Sequence, residues 1–233
     1  KKLAFAPASA EQQKEPFDLY LEGVRCGKNG EGAKAAQLLQ RAAEQGVSDA
    51  AFELGIMYEE GDAVPRDYGK ALAWYKKADG LGELQASNAI GNMYFYGRGV
   101  NKNYKEAIKW YREGVELDDE EACFNLANCY EFGNGVEIDL KEAALLYEHA
   151  AELGYWDAER NIATCYYFGK GVEQNYAEAV KWYKKAAEHG DAVAQFNLGV
   201  CYLKGQGVLK NLTEAIRLFR LAAAAGDENA KDA

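Results

Sequence analysis

The sequence predicts an all-α protein, a solenoid of helix-turn-helix repeats with a 36-residue period. Three observations carry that prediction. Gly46, Gly82, Gly154, Gly190 and Gly226 lie 36 residues or a multiple of 36 apart, with Asp118 in the one slot that lacks glycine. Five units, 47–82, 83–118, 119–154, 155–190 and 191–226, follow without a gap. Their fourth slot is always Ala, their twelfth Tyr (Tyr58, Tyr94, Tyr130, Tyr166, Tyr202), their fifteenth Gly and their eighteenth Val. The spacing inside each unit is helical.

In the first half of a unit, residues such as Ala194, Leu198, Cys201, Tyr202 and Gly205 form one apolar stripe of an amphipathic helix. A Gly-x-Gly-Val turn follows and supplies left-handed positions that stop the helix. Then an Asx residue and a Glu three places on (Asn103 and Glu106, Asp139 and Glu142, Asn175 and Glu178, Asn211 and Glu214) read as a capping box. The second helix runs through apolar positions such as Ala179, Val180, Trp182, Tyr183 and Ala186. A two-helix hairpin of this size cannot bury both faces alone, so units must stack.

The ends depart from the plan. Residues 1–16 are a lead with no clear packing face. Ala8-Ser9-Ala10 resembles a signal-peptidase site, but the apolar stretch before it is too short for a whole signal peptide. Residues 17–46 read as a degenerate first repeat. Its first helix is clipped, Tyr20 and Gly23 stand in for the Tyr and turn-Gly slots, and its turn is longer than the others. In 47–82, Ala63 replaces the second turn glycine and Lys70 breaks the capping box. Residues 227–233 repeat the opening of a unit, so the array is expected to continue there or to be capped.

The pattern resembles the Sel1-like repeat (SLR) family, related to tetratricopeptide repeats. The matching residues are Ala-x-x-x-Leu-Gly-x-x-Tyr in the first helix, the Gly-x-Gly-Val turn, and Ala-x-x-Trp-Tyr-x-Lys-Ala-Ala in the second. The resemblance implies a right-handed α/α superhelix with a concave groove for partner proteins. It implies scaffold or adaptor work, with no catalysis and no cofactor.

Composition narrows the partners. A net charge of −10 argues against nucleic acid, which needs a basic footprint. No apolar run approaches a membrane-spanning length, so membrane insertion is not expected. Cys129, Cys165 and Cys201 occupy one slot in successive repeats, where equivalent helices should lie roughly 8–10 Å apart. A disulfide needs Cα atoms within about 7 Å, so the cysteines read as buried thiols. The inter-repeat pairing found in some secreted SLR proteins is missing. Reduced thiols suit a cytoplasmic compartment better than a periplasmic or extracellular one.

Catalytic chemistry finds little footing. His149 and His189 are helix-end residues without metal-ligand spacing, and no Ser lies in a nucleophile motif. The 119–121 acids read as helix N-terminal charges favoured by the macrodipole, with a basic-ligand site as the sharper alternative. What remains is recognition. With the fourth slot facing the core, the opposite side of the first helices carries Asn125, Asn161 and Asn197 in register, with Asn92 and Asn128 one turn on. It also carries Tyr96, Phe132 and Phe168, and the cation Arg160. By the resemblance, this side lines the groove. An Asn ladder suits an extended peptide because each amide both donates and accepts, and outward aromatics supply anchors. The expected function is a scaffold that holds a protein or peptide segment. The alternative is a glycan- or peptidoglycan-related binding protein or enzyme, for which Glu131 and Asp157 are the best paired acids, unsupported by any motif. Uncovered apolar surface on a terminal repeat would also let two arrays pair.

Overall fold

A computed structural model describes residues 15–226, and its regular structure there is helical throughout. The N-terminal lead 1–16 falls outside these residues except for its last two, and the segment 227–233 lies wholly outside them. Twelve helices follow in order among the described residues: α1 (Pro16–Lys28), α2 (Gly32–Glu44), α3 (Ser48–Glu60), α4 (Tyr68–Gly80), α5 (Ala86–Tyr96), α6 (Tyr104–Glu116), α7 (Glu120–Phe132), α8 (Leu140–Leu153), α9 (Trp156–Phe168), α10 (Tyr176–Glu188), α11 (Ala192–Lys204) and α12 (Leu212–Ala224). The chain divides into two compact units, up to Trp110 and from Tyr111 on, the division falling within α6. In the first unit α1 to α5 pack each against the next; in the second α7 to α12 do the same. This is the architecture of consecutive helix hairpins that defines an α/α solenoid.

The capping residues behave as the sequence predicts, with one change in the box. Asn103, Asp139, Asn175 and Asn211 accept the backbone N–H three residues on, at 3.1–3.2 Å. The Glu partner does not have to reach back, because the Asx backbone N–H already donates to the carbonyl of the twelfth-slot Tyr. These bonds, from Asn103 to Tyr94, Asp139 to Tyr130, Asn175 to Tyr166 and Asn211 to Tyr202, measure 2.9–3.0 Å. Glu106, Glu178 and Glu214 pair instead with Lys109, Lys181 and Arg217 along their own helices. This explains why Lys70 does no harm: Asp67 still caps Lys70 N–H at 3.0 Å, and its own N–H donates to Tyr58.

The second turn glycine has a job between repeats. Gly171 has φ 73°, and a Cβ there would run into the backbone of Leu140, the first residue of the preceding second helix. Gly207 meets Tyr176 in the same way, and Gly99 meets Tyr68. Ala63 keeps the left-handed turn at φ 61° with a side chain in place. It fits because the facing helix start is Gly32, where any Cβ would collide with that of Ala63. The repeat has exchanged which partner is small.

The α3–α4 and α11–α12 hairpins are each filled by an aromatic ring laid over a glycine. Tyr75 lies against Gly55 and Phe219 against Gly199, where an added Cβ would overlap the ring. Tyr147 and Tyr183 are fully buried, and burying rings of this size stabilises by about 1.5–3 kcal/mol each. Sixth-slot phenylalanines tilt against these rings: Phe52 on Tyr75, Phe124 on Tyr147 and Phe196 on Phe219, at 5.4–5.7 Å between centroids. All five cysteines are buried free thiols. Burial pushes those of Cys123, Cys129, Cys165 and Cys201 up to about 11.

Three local details differ from the sequence reading. α1 is not clipped: it runs through 24–28, read above as turn, because Leu19, Gly23 and Cys26 make a buried stripe at i, i+4 and i+7. Gly23 is therefore a packing glycine under Leu39 and not a turn residue. Asp118, in the slot that lost its glycine, still adopts φ 56°. The helix-end histidines both find acids: His149 Nε2 lies 3.0 Å from Asp118, and His189 Nε2 lies 3.7 Å from Glu159, with its ring edge-on to Trp156.

Candidate functional site

The candidate face in the second unit is built on α7, α9 and α11. Asn125, Asn161 and Asn197 occupy equivalent positions on these helices, and all three are half-buried. One turn on stand Asn128, Thr164 and Val200, and one turn further Phe132, Phe168 and Lys204. Successive helices of this face touch. The ring of Phe124 on α7 packs on Tyr155 at the start of α9 with centroids 5.1 Å apart. The Arg160 guanidinium on α9 lies 3.6 Å from Asp191, which caps α11.

A buried phenol underpins the Asn set. Tyr147, on α8, points its hydroxyl between α7 and α9, 2.6 Å from Glu131 and 2.7 Å from Asn128. It has one proton for two acceptors. Donation to Glu131 with Asn128 turned to offer its amide N–H satisfies all three groups. The Asn161 amide also bears on the phenol, favouring its ionised form. Burial, and then the Glu131 carboxylate, hold the phenol well above its usual pKa, so it remains a donor at physiological pH. Tyr147 therefore ties Asn128 to Glu131. In the next repeat Tyr183 makes the equivalent approach to Thr164, at 3.2 Å. The last repeat has Phe219 in the equivalent slot, with no hydroxyl to offer, and Asn197 makes no side-chain hydrogen bond among the described residues.

The aromatics divide by position. Phe132 and Phe168 stand outward, 64% and 61% exposed. Their neighbour Tyr167 turns in: it packs on Tyr176 and donates its hydroxyl to Gln206 at 2.8 Å. Lys170 lies 6.0 Å over the Phe168 ring. Arg160 is half-buried and neutralised by Asp191. Between residues 111 and 160 acids outnumber bases several-fold. The face is thus acidic around Glu131 and Asp157, which favours neutral or basic ligands.

The first unit holds the other two predicted residues on α5. Asn92 is half-buried and has its own interactions within the protein. Tyr96 is 58% exposed, with the Arg98 guanidinium 4.9 Å over its ring. Arg98 pairs with Glu59 at 2.7 Å, and Tyr75 donates to the other oxygen of Glu59 at 2.7 Å. Sequence reasoning missed both tyrosine–acid links. A signal existed: Glu59 and Glu131 share the thirteenth slot in repeats whose second helix places Tyr75 and Tyr147 below it. No group of acids, His and Cys among the described residues could hold a metal ion. No described helix is long and apolar enough to cross a membrane.

The fold and this face define a helix-hairpin repeat protein. The chain belongs to the Sel1 repeat family, whose pattern matches six times, at residues 18–47, 48–78, 84–119, 120–155, 156–191 and 192–227. A protective antigen of uropathogenic Escherichia coli with an SLR fold is 31% identical with TM-score 0.89, covering 95% of this chain and 48% of its own. A Sel1 repeat protein from Oxalobacter formigenes is 31% identical with TM-score 0.79, covering 91% of this chain and 85% of its own. An exopolysaccharide production negative regulator of Rhizobium leguminosarum bv. viciae is 36% identical over 62 residues, 27% of this chain and 23% of that protein. The chain spans about half of the Escherichia coli protein and about a quarter of the Rhizobium one. Sel1 repeat proteins are generally non-catalytic scaffolds for protein interaction.

Proposed function

We propose that this chain is a non-catalytic scaffold that holds an extended segment of a partner protein along the α7–α9–α11 face. The observation that carries the reading is the register of Asn125, Asn161 and Asn197 on three successive first helices, bordered by outward Phe132 and Phe168. Asn amides at a repeat spacing can donate to and accept from successive peptide groups, and exposed rings give anchor contacts. Glu131 and Asp157 favour a segment of neutral or basic character. On the first unit, taken by itself, Asn92 and Tyr96 are the corresponding candidate contact residues.

The test is an affinity capture with the purified chain beside two variants. One replaces Asn125, Asn161 and Asn197 with Ala; the other replaces Phe132 and Phe168 with Ala. A protein retained by the wild type and lost by both variants, with helicity unchanged, supports the reading. Identical retention by all three places binding elsewhere and rejects this face. Because Asn161 touches Tyr147, the phenylalanine variant separates lost recognition from lost packing.

A further inference from the structure

The first hairpin has glycine at two places where later hairpins carry a pair of rings. Gly23 lies under Leu39 as Gly55 lies under Tyr75 and Gly199 under Phe219, which aligns α1 and α2 with the helices of the other repeats. Counted from that contact, Gly27 stands where Phe95 and Tyr167 stand, and Gly32 where Tyr104 and Tyr176 stand. Phe95 packs on Tyr104 with centroids 4.9 Å apart, and Tyr167 packs on Tyr176 at 5.2 Å. With both rings missing, a cavity of ≈ 440 Å³ remains where α1, α2 and α3 meet. It lies wholly within the first unit. Its volume is within the range of small-ligand pockets.

Tyr167 shows what a ring in this place touches. It packs on Tyr176, lies 6.3 Å from the Tyr183 ring, and donates its hydroxyl to Gln206 at 2.8 Å. The Cys201 thiol is near enough to bear on its phenol. The residues at those four positions around the first hairpin are Gly32, Leu39, Asp62 and Met57, and all four line the cavity. Asp62 is exposed, and its carboxylate makes no hydrogen bond or ion pair among the described residues, so an entering donor can reach it. Gly27 is exposed too, and the cavity opens to solvent where the missing side chain would begin. Lys28 and Glu53 complete the charged part of the wall, and neither is ion-paired among the described residues. Two acids against one base disfavour an anionic occupant and suit a neutral donor.

From the cavity, the unpaired Asp62 and the Tyr167 contacts that its lining repeats, we infer that the α1–α2–α3 cavity binds a tyrosine side chain presented by a partner protein. The ring enters over Gly27, takes the space left open at Gly32, lies on Leu39 and Met57, and donates its hydroxyl to the Asp62 carboxylate. Thioether sulfur makes favourable contacts with aromatic rings, and tyrosine is a favoured anchor residue at interfaces. A side chain of another protein is the fitting occupant because Sel1 repeat proteins are generally scaffolds for protein interaction. The site lies in the first unit, apart from the α7–α9–α11 face, and does not rest on the reading of that face.

Titration of the full chain with N-acetyl-tyrosinamide, followed by the magnetic resonance signal of the Met57 methyl group, tests this. Met93, the other methionine, is buried in the core and serves as the internal control. A saturable shift of Met57 alone is expected, with N-acetyl-phenylalaninamide about tenfold weaker for want of one hydrogen bond. Asp62→Ala should erase that difference between the two probes. Gly27→Tyr supplies the ring from α1; its Cβ meets only Ala35, at 3.9 Å, and a glycine leaves a helix. It should abolish binding while holding or raising the melting temperature. The Asn125, Asn161 and Asn197 triple variant should bind the probe as the wild type does. Four results would overturn the inference: no saturable Met57 shift, equal affinity for the two probes, a preference for tyrosine that survives Asp62→Ala, or undiminished binding by a folded Gly27→Tyr variant. Should that variant not fold, the probe pair on the wild type and on Asp62→Ala decides. Tighter binding of free tyrosine than of the blocked amide would assign the cavity to the amino acid and reject a partner's side chain.

Discussion

Asp119 caps α7 at a cost that depends on pH. Its Oδ1 accepts the Ala122 N–H at 2.8 Å, while Oδ2 is buried with no partner. Burial above all, with Glu121 and Glu120 adding repulsion against the opposing pull of the cap bond, raises its pKa from 3.8 to about 6. A carboxyl raised on folding favours the protonated native state. Its contribution is fully present below about pH 4 and is lost as the pH climbs through about 6. The gap corresponds to about 3 kcal/mol at about 1.4 kcal/mol per pH unit. Residual solvent around the carboxylate brings the expected figure to about 1–2 kcal/mol. Asp119→Asn keeps the capping oxygen and removes the charge. It should match the wild type near pH 4 and exceed it by about 1–2 kcal/mol at pH 7, read from urea midpoints followed by far-ultraviolet circular dichroism. A difference that is the same at both pH values, or a variant weaker at pH 7, would refute the argument that buried charge dominates the cap.

Three further predictions follow from packing. Gly32→Ala should cost about 1–3 kcal/mol by overpacking Ala63, and adding Ala63→Gly should recover most of it; additive losses in a thermal double-mutant cycle would contradict a direct contact. Tyr147→Phe removes the hydroxyl that donates to Glu131 and accepts from Asn128, and should destabilise by about 1–2 kcal/mol in urea; an unchanged midpoint would mean that the phenol is not structural. The thiols of Cys123, Cys129, Cys165 and Cys201 are buried and far above neutral in pKa. They should react with a thiol-disulfide reagent only in denaturant, and fast modification in native buffer would show that their helices open locally.

Much of the fold was legible because each repeat states it again. Caps, turns and apolar stripes are local signals, and Asn175 or Gly169 does in the structure what its neighbours in sequence imply. The first repeat was misread for the opposite reason. Gly23 and Gly27 look like punctuation, and only the packing of Gly23 under Leu39 shows the helix passing through. The site was legible as a face but not as a network. Spacing put Asn125, Asn128 and Asn161 on one side of their helices. It offered the shared slot of Glu59 and Glu131 as a signal for the acid, but not that Tyr147, a residue of the neighbouring helix, would bring its hydroxyl to Asn128 as well. Such contacts depend on how one helix is rotated against another, and periodicity within a helix does not encode that.

The exchange at Gly32 and Ala63 gives the array a fixed reading order. The second turn glycines Gly99, Gly171 and Gly207 could in principle be swapped with one another, since each faces a helix that begins with a bulky residue, Tyr68, Leu140 or Tyr176. The repeat bearing Ala63 has no such freedom. Moved behind any of those helices, its methyl group would strike main chain that cannot yield, and it can follow only a segment opening with glycine. Duplication or recombination at that one joint must therefore change two positions at once, in neighbouring repeats, whereas the joints at Gly99, Gly171 and Gly207 can be cut and rejoined in register.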